Sequence, residues 1–372
     1  MQAIQSVCLL LLLSQLTDAT FSKGFQNFLT YYYGQAVAQN LTRLDLGADG
    51  SFGGGSSSLY LSLKRDPVVV VHGLNTAAGG MKNVSDFFIK YGYTQGSLFA
   101  TTYGPNGTVI GGGDTVTCAY LKQVRQLVIA VNKYTGRRVV VAGYSLGAAV
   151  SRKMILGGVC LDNNQTLGNP LTSLVSAFFS IAGANQGATL CQQLPTAPMC
   201  NNVTGFSTGS QFLKDINRKQ GYESGQSIFM LGSVSDEVVG FSNQALPGAD
   251  VNITLNGFLH VPECFNTLHI QYELITNGYL TQSTINIDAA AESALTGTNC
   301  TGSVKQAPRR WNYNNPCNFK DWYKQATGDR DSSSNVGSYD SKGKRYVFNS
   351  GYFYYLHKKL QNSQFLSNKP VF

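Results

Sequence analysis

The spacing of apolar residues switches repeatedly between two periods along residues 67–280, and the switches mark out strands and helices in turn. Pro67-Val68-Val69-Val70-Val71 is a β-branched run with no polar break, which predicts a strand covered on both faces. Val84 to Tyr93 takes up helical spacing, with Val84, Phe87, Phe88 and Tyr91 on one side. Ser97 to Thr102 reads as a short strand and Gly111-Gly112-Gly113 as a loop. Val116 to Tyr134 reads as a long amphipathic helix that turns Tyr120, Val124, Leu127, Val128 and Val131 inward. Further strands are expected at Val139-Val140-Val141, Leu174 to Ile181, Ser227 to Ser233 and Val251 to Leu255, with a last helix over Leu268 to Leu280. Strands and helices in alternation imply an α/β fold with a doubly wound, mainly parallel sheet. Residues 188–226, mostly polar and holding Cys191 and Cys200, predict a disulfide-closed insertion roofing one end of that sheet.

The flanks of this pattern differ from its centre. Val7 to Leu13 is an apolar core too short to span a bilayer, and Thr17-Asp18-Ala19 supplies small residues for cleavage. Residues 1–19 are therefore expected to be a signal peptide and the mature protein to be secreted and extracellular. No later stretch reads as a transmembrane segment, and the last residues do not read as a lipid-anchor signal. Residues 20–66 are rich in Gly and Tyr and read as an N-terminal strap, 67–282 as the main domain, and 283–372 as a C-terminal extension. Charge sharpens that last boundary. Residues 1–300 hold 16 basic and 16 acidic side chains, so the net charge of +8 comes from residues 301–372. There the basic residues mix with aromatics, as in Arg309-Arg310-Trp311 and Tyr352 to Lys359. Such a tail suits packing over the main domain, contact with an anionic lipid surface or binding of acidic glycans, and nucleic acid is not expected for a secreted chain.

Seven Asn-x-Ser/Thr sequons, at Asn40, Asn83, Asn106, Asn164, Asn202, Asn252 and Asn299, fit a secreted surface carrying N-glycans. Cleavage after Ala19 would remove Cys8 and leave seven cysteines for an oxidising compartment. The expected pairs are Cys118–Cys160, Cys191–Cys200 and Cys300–Cys317, with Cys264 left over. Neither a Cys-x-x-Cys pair nor a His-rich spacing points to a metal.

The chemistry concentrates at Gly143-Tyr144-Ser145-Leu146-Gly147, where the valine strand ends and a helix begins. Strand, G-x-S-x-G and helix together predict a nucleophile elbow, a tight turn that holds a Ser hydroxyl out over the sheet edge. Gly143 and Gly147 are needed because side chains there would strike the crossing backbone. A serine needs a base, and the base an orienting carboxylate. Asp236, directly after the strand Ser227 to Ser233, is the expected acid; Glu237 would point the other way. The chain has four histidines. His72 precedes the serine and is expected to pack below the site, and His357 lies in the basic tail. His260 and His269 both remain candidates, and His269 is preferred because it stands at the start of the helix that follows the last strand. At the other strand end, His72-Gly73-Leu74-Asn75 turns sharply, so the backbone N–H groups of Leu74 and Leu146 would form an oxyanion hole.

Pro67 to Asn75, Gly143 to Gly147, Ala182-Gly183-Ala184-Asn185, Ser233 to Asp236 and Leu268-His269-Ile270 together resemble class 2 lipases of the α/β-hydrolase superfamily. The resemblance covers about residues 67–282. It implies an α/β-hydrolase core, acylglycerol or simpler ester substrates, and no cofactor. Carried over, it places the nucleophile on Ser145, the acid on Asp236, the base on His269 and the oxyanion amides on Leu74 and Leu146. Two departures stand out. Tyr144 replaces the histidine that many lipases carry before the nucleophile, and the stretch before His269 is long, which keeps His260 open. The competing expectation is a catalytically silent binding protein that retains the hydrolase fold.

Overall fold

The sheet is built from runs that the sequence leaves no choice but to bury. In the computed structural model, which describes residues 20–55, 63–104, 115–281, 337–339 and 345–347, Val68–Val71, Val139–Tyr144 and Val175–Ile181 are buried along their whole length. The expectations for the signal peptide, the glycine loop at 111–113, Asn106, Asn299, Cys300–Cys317, His357 and most of the tail lie outside the described residues.

In chain order the strands are β1 (Ser51–Phe52), β2 (Val68–Val71), β3 (Leu98–Thr101), β4 (Val139–Tyr144), β5 (Gly158–Val159), β6 (Thr166–Gly168), β7 (Val175–Ile181), β8 (Ser227–Ser233) and β9 (Val251–Leu255). Seven of them form one sheet in the order β1-β3-β2-β4-β7-β8-β9, while β5 and β6 make a small hairpin. Every pair in the large sheet is parallel except β1 with β3 at one edge. Order along the sheet departs from order along the chain at β2 and β3, as crossover connections require. At the other edge, β9 alternates half-buried and exposed positions, the pattern of a strand with one wet face.

The helices are α1 (Lys23–Tyr33), α2 (Gln35–Thr42), α3 (Lys82–Lys90), α4 (Cys118–Thr135), α5 (Leu146–Leu156), α6 (Leu190–Gln193), α7 (Gln211–Asn217), α8 (Phe241–Gln244), α9 (His260–Phe265) and α10 (Leu268–Asn277). α4 runs where the periodicity places it, between a Thr117 N-cap and a left-handed Gly136. Val124, Leu127, Val128 and Val131 are buried as expected, and Tyr120 is half-buried. Among the described residues no helix is long and apolar enough to cross a membrane.

Two regions outside the regular alternation have structure of their own. Residues 20–55, within the N-terminal strap, form α1, α2 and the edge strand β1. Phe25 is fully buried, and its ring meets Phe99 at 5.1 Å and Tyr134 at 4.8 Å, so the aromatic content of this stretch fills core. The second region is 188–226. Cys191–Cys200 closes its loop as expected, and Cys118–Cys160 forms as well, leaving Cys264 buried and unpaired. Much of what holds this insertion is ionic. On α5, Arg152 donates from Nε to Glu223 at 2.8 Å, from Nη1 to Asn217 at 2.9 Å and from Nη2 to the Ile216 carbonyl at 3.0 Å. The Arg152 and Glu223 side chains are 1% and 0% exposed. Arg152→Met strands the Glu223 carboxylate in the interior and should cost about 3–5 kcal/mol in denaturant unfolding, whereas Arg152→Met with Glu223→Leu should recover most of it.

A separate unit begins at Gln282. Its described part is an antiparallel pair, β10 (Gly337–Tyr339) with β11 (Arg345–Val347).

Candidate active site

β4 ends in Tyr144, and α5 starts one residue after Ser145. The serine between them has φ 55° and ψ −125°, outside the regions that L-residues favour. Its backbone is held by its N–H to the Ile181 carbonyl at 2.9 Å, and its carbonyl accepts from Ala148 and Ala184. The turn is as tight as the flanking glycines imply. A Cβ on Gly143 would stand 2.6 Å from the Ala148 Cα, and one on Gly147 2.3 Å from the His72 carbonyl oxygen.

Ser145 Oγ lies 2.9 Å from His260 Nε2, and His260 Nδ1 lies 2.8 Å from Asp236 Oδ2. Asp236 stands three residues past β8, where its Oδ1 accepts from the Val238 and Val239 N–H groups at 2.8 and 2.9 Å. Burial opposes its ionisation. The His260 hydrogen bond and charge, with the two backbone donors, outweigh that and hold the carboxyl below the usual range. An ionised carboxylate only accepts, so His260 carries its proton on Nδ1 and offers the Nε2 lone pair to Ser145.

His260, not the preferred His269, therefore completes the row. The connection from β9 is four residues long, so the first histidine past that edge strand is the one delivered to the rim where β4 and β8 end. Pro262 makes this stretch look like a loop. In the first turn of α9 its missing N–H costs nothing, and the helix forms. Glu237 has a use of its own: Oε2 accepts the His260 N–H at 3.0 Å and anchors the start of α9. His269 sits half-buried on α10, whose Ile270 and Leu274 are buried and whose Tyr272 packs against Phe88 of α3.

His72 is fully buried. Nδ1 is 2.9 Å from the Gly73 carbonyl, Nε2 accepts from the Tyr103 N–H at 3.2 Å, and the ring stacks on Tyr103. Burial lowers its pKa to about 4, so it is a neutral structural ring at ordinary pH. Tyr144, where many lipases have histidine, bonds through its hydroxyl to Gln271 and stacks near Phe265. Gln244, which the sequence did not single out, donates from Nε2 to Asp236 Oδ2 and accepts through Oε1 from the Ser233 N–H at 2.9 Å.

Gly73 passes close beside the serine, since a Cβ there would fall 2.8 Å from the Ser145 Cβ. Leu74 and Leu146 lie on the wall of one apolar cavity with Tyr103, Val116, Met199 and Phe206. Met199 and Phe206 come from the insertion, which thus supplies part of the wall of this cavity. Ser145 is only 7% exposed, deeper than an elbow read from sequence implies.

A parallel sheet in this order, with a strained serine where β4 meets α5 and the row on one rim, defines an α/β-hydrolase. The chain belongs to the class 2 lipase family, whose model matches residues 65–272, more than half its length. Among solved structures, the mature form of the Bacillus licheniformis lipase BlEst2 is 16% identical and has a TM-score of 0.46, covering 61% of this chain and 98% of that one. The Paleococcus ferrophilus monoacylglycerol lipase is 10% identical, TM-score 0.38, over 60% of this chain and 96% of that one. A chain from LipS and LipT, two metagenome-derived lipolytic enzymes, is 14% identical, TM-score 0.42, over 61% and 97%. No curated protein matches the chain.

Proposed function

We propose that this lipolytic hydrolase is a secreted carboxylic-ester hydrolase acting on acylglycerols through Ser145, His260 and Asp236. The observation that carries the reading is the unbroken row of hydrogen bonds from Ser145 Oγ through His260 to Asp236 Oδ2. His260 Nε2 takes the Ser145 proton as Oγ attacks the ester carbonyl, and Asp236 stabilises the imidazolium and holds its tautomer. The Leu74 and Leu146 N–H groups receive the oxyanion. Leu146 opens α5, where first-turn amides have no carbonyl four residues back, and each such donor is worth about 3 kcal/mol in the transition state. His260 then protonates the leaving alcohol, and water, deprotonated by the same ring, releases the acid from the acyl-enzyme.

The apolar side chains of Leu74, Val116, Met199 and Phe206 would favour an acyl chain by about 0.8 kcal/mol for each methylene buried, and they must part to admit one, because the cavity between them is only about 20 Å³. Secretion is supported by the apolar leader, by the two formed disulfides and by the surface positions of Asn40, Asn164, Asn202 and Asn252, where N-glycans would meet solvent. The test is turnover of a soluble short-chain ester and of emulsified acylglycerols by the secreted protein, with a fluorophosphonate probe alongside. Hydrolysis with a probe adduct is expected. No turnover of any ester and no adduct would instead leave a silent binding protein on a hydrolase fold.

A further inference from the structure

One turn after His260 on α9 lies a second carboxyl, Glu263, that the reaction above does not use. It is completely buried, and its Oε2 accepts from Gln244 Nε2 at 3.1 Å while Oε1 has no hydrogen-bond partner. The same Gln244 nitrogen donates to Asp236 Oδ2, the oxygen that receives His260 Nδ1–H. Gln244 cannot be turned end for end without cost, because its Oε1 holds the Ser233 N–H. Two carboxyl groups thus share one amide in a dry site, which two negative charges would not tolerate.

We propose that Glu263, kept as the neutral acid, is a positioning residue that acts with Gln244 to hold Asp236 Oδ2 on His260, and that loss of its proton sets the alkaline limit of activity. The inference rests on the ester-hydrolase reading for its catalytic part. Burial, followed by the nearby Asp236 charge and a hydrogen bond with that carboxyl, raises the Glu263 pKa to about 9, against opposing hydrogen bonds from Gln244 and the Ala182 backbone. Of the titratable groups packed here, Asp236 acts on it directly and the adjoining Cys264 thiol feels its charge, while the exposed Glu237 acts on that thiol and the thiol on the Tyr144 phenol. Burial raises both the thiol and the phenol, which keeps them neutral across the same range. When Glu263 gives its proton to solvent, a second anion appears against Asp236. Repulsion then pulls Oδ2 off the imidazole.

Two substitutions separate positioning from simple packing. Glu263→Gln keeps size and polarity but cannot ionise; Glu263→Leu removes the polar head. With a short soluble ester, wild-type kcat/KM should fall above about pH 9. Glu263→Gln should move that limb upward by at least about one pH unit and keep kcat at pH 7 within about threefold, whereas Glu263→Leu should lose about tenfold or more in kcat with KM little changed. A second measurement needs no turnover. Between pH 4.5 and about 9 the unfolded chain has lost a proton that the native chain keeps, so wild-type stability declines with pH through that window relative to Glu263→Gln. Denaturant unfolding of both proteins should show the gap widening as pH rises. An unshifted alkaline limb in Glu263→Gln, or parallel stability curves, would overturn the proposal. A wild type that hydrolyses no ester would count against the hydrolase reading, and the stability curves would still decide whether Glu263 is carried neutral.

Discussion

His260→Ala should lower kcat on a soluble ester by about 10⁴- to 10⁶-fold, while His269→Ala should stay within about threefold of wild type. The asymmetry follows from the contacts. His260 alone bridges Ser145 Oγ and Asp236 Oδ2, and deleting the ring removes the base and leaves Asp236 ionised without its main partner. Residual turnover would come from the oxyanion amides and binding. His269 belongs to a helix that packs through Ile270 and Leu274. Side-by-side kcat and KM values, with unfolding curves to show that both variants are folded, decide the matter. Equal losses, or the larger loss at His269, would mean that the row seen here is not the working one.

Ser145→Ala should abolish fluorophosphonate labelling and reduce ester turnover by about the same 10⁴- to 10⁶-fold, because nucleophile and base act as one unit. The double variant Ser145→Ala with His260→Ala should then be scarcely worse than either single change. Stability should change little or improve. Alanine removes one hydroxyl from a residue whose φ of 55° is set by the surrounding turn. Labelling that survives in Ser145→Ala, or losses that multiply in the double variant, would place the nucleophile elsewhere.

Much of this site was legible from local pattern. The valine run before Gly143 had to be a buried strand, and glycines two residues either side of Ser145 pointed to a turn too tight for side chains. Asp236 was legible because it directly follows an unmistakable strand, whereas the connectivity of the cysteines is not fixed by their spacing and only the fold shows Cys118–Cys160 and Cys191–Cys200. Three further things were not legible. Residues 20–55 look soft by composition, yet Phe25 and Phe28 are core. Gln244 and Glu263 carry no motif, since a glutamine and a glutamate announce nothing until they are found buried against the same carboxylate.

The choice of histidine shows where the division falls. By itself the sequence determined the parallel sheet and the elbow, because these depend on short-range sterics and on which runs must leave water. Only the tertiary structure decided between His260 and His269. That choice depends on where the edge strand β9 ends, on a proline tolerated in the first turn of α9, and on which ring then reaches across the rim. Distances of 2.8 and 2.9 Å between groups 24 and 115 residues apart are properties of packing, and no local pattern encodes them.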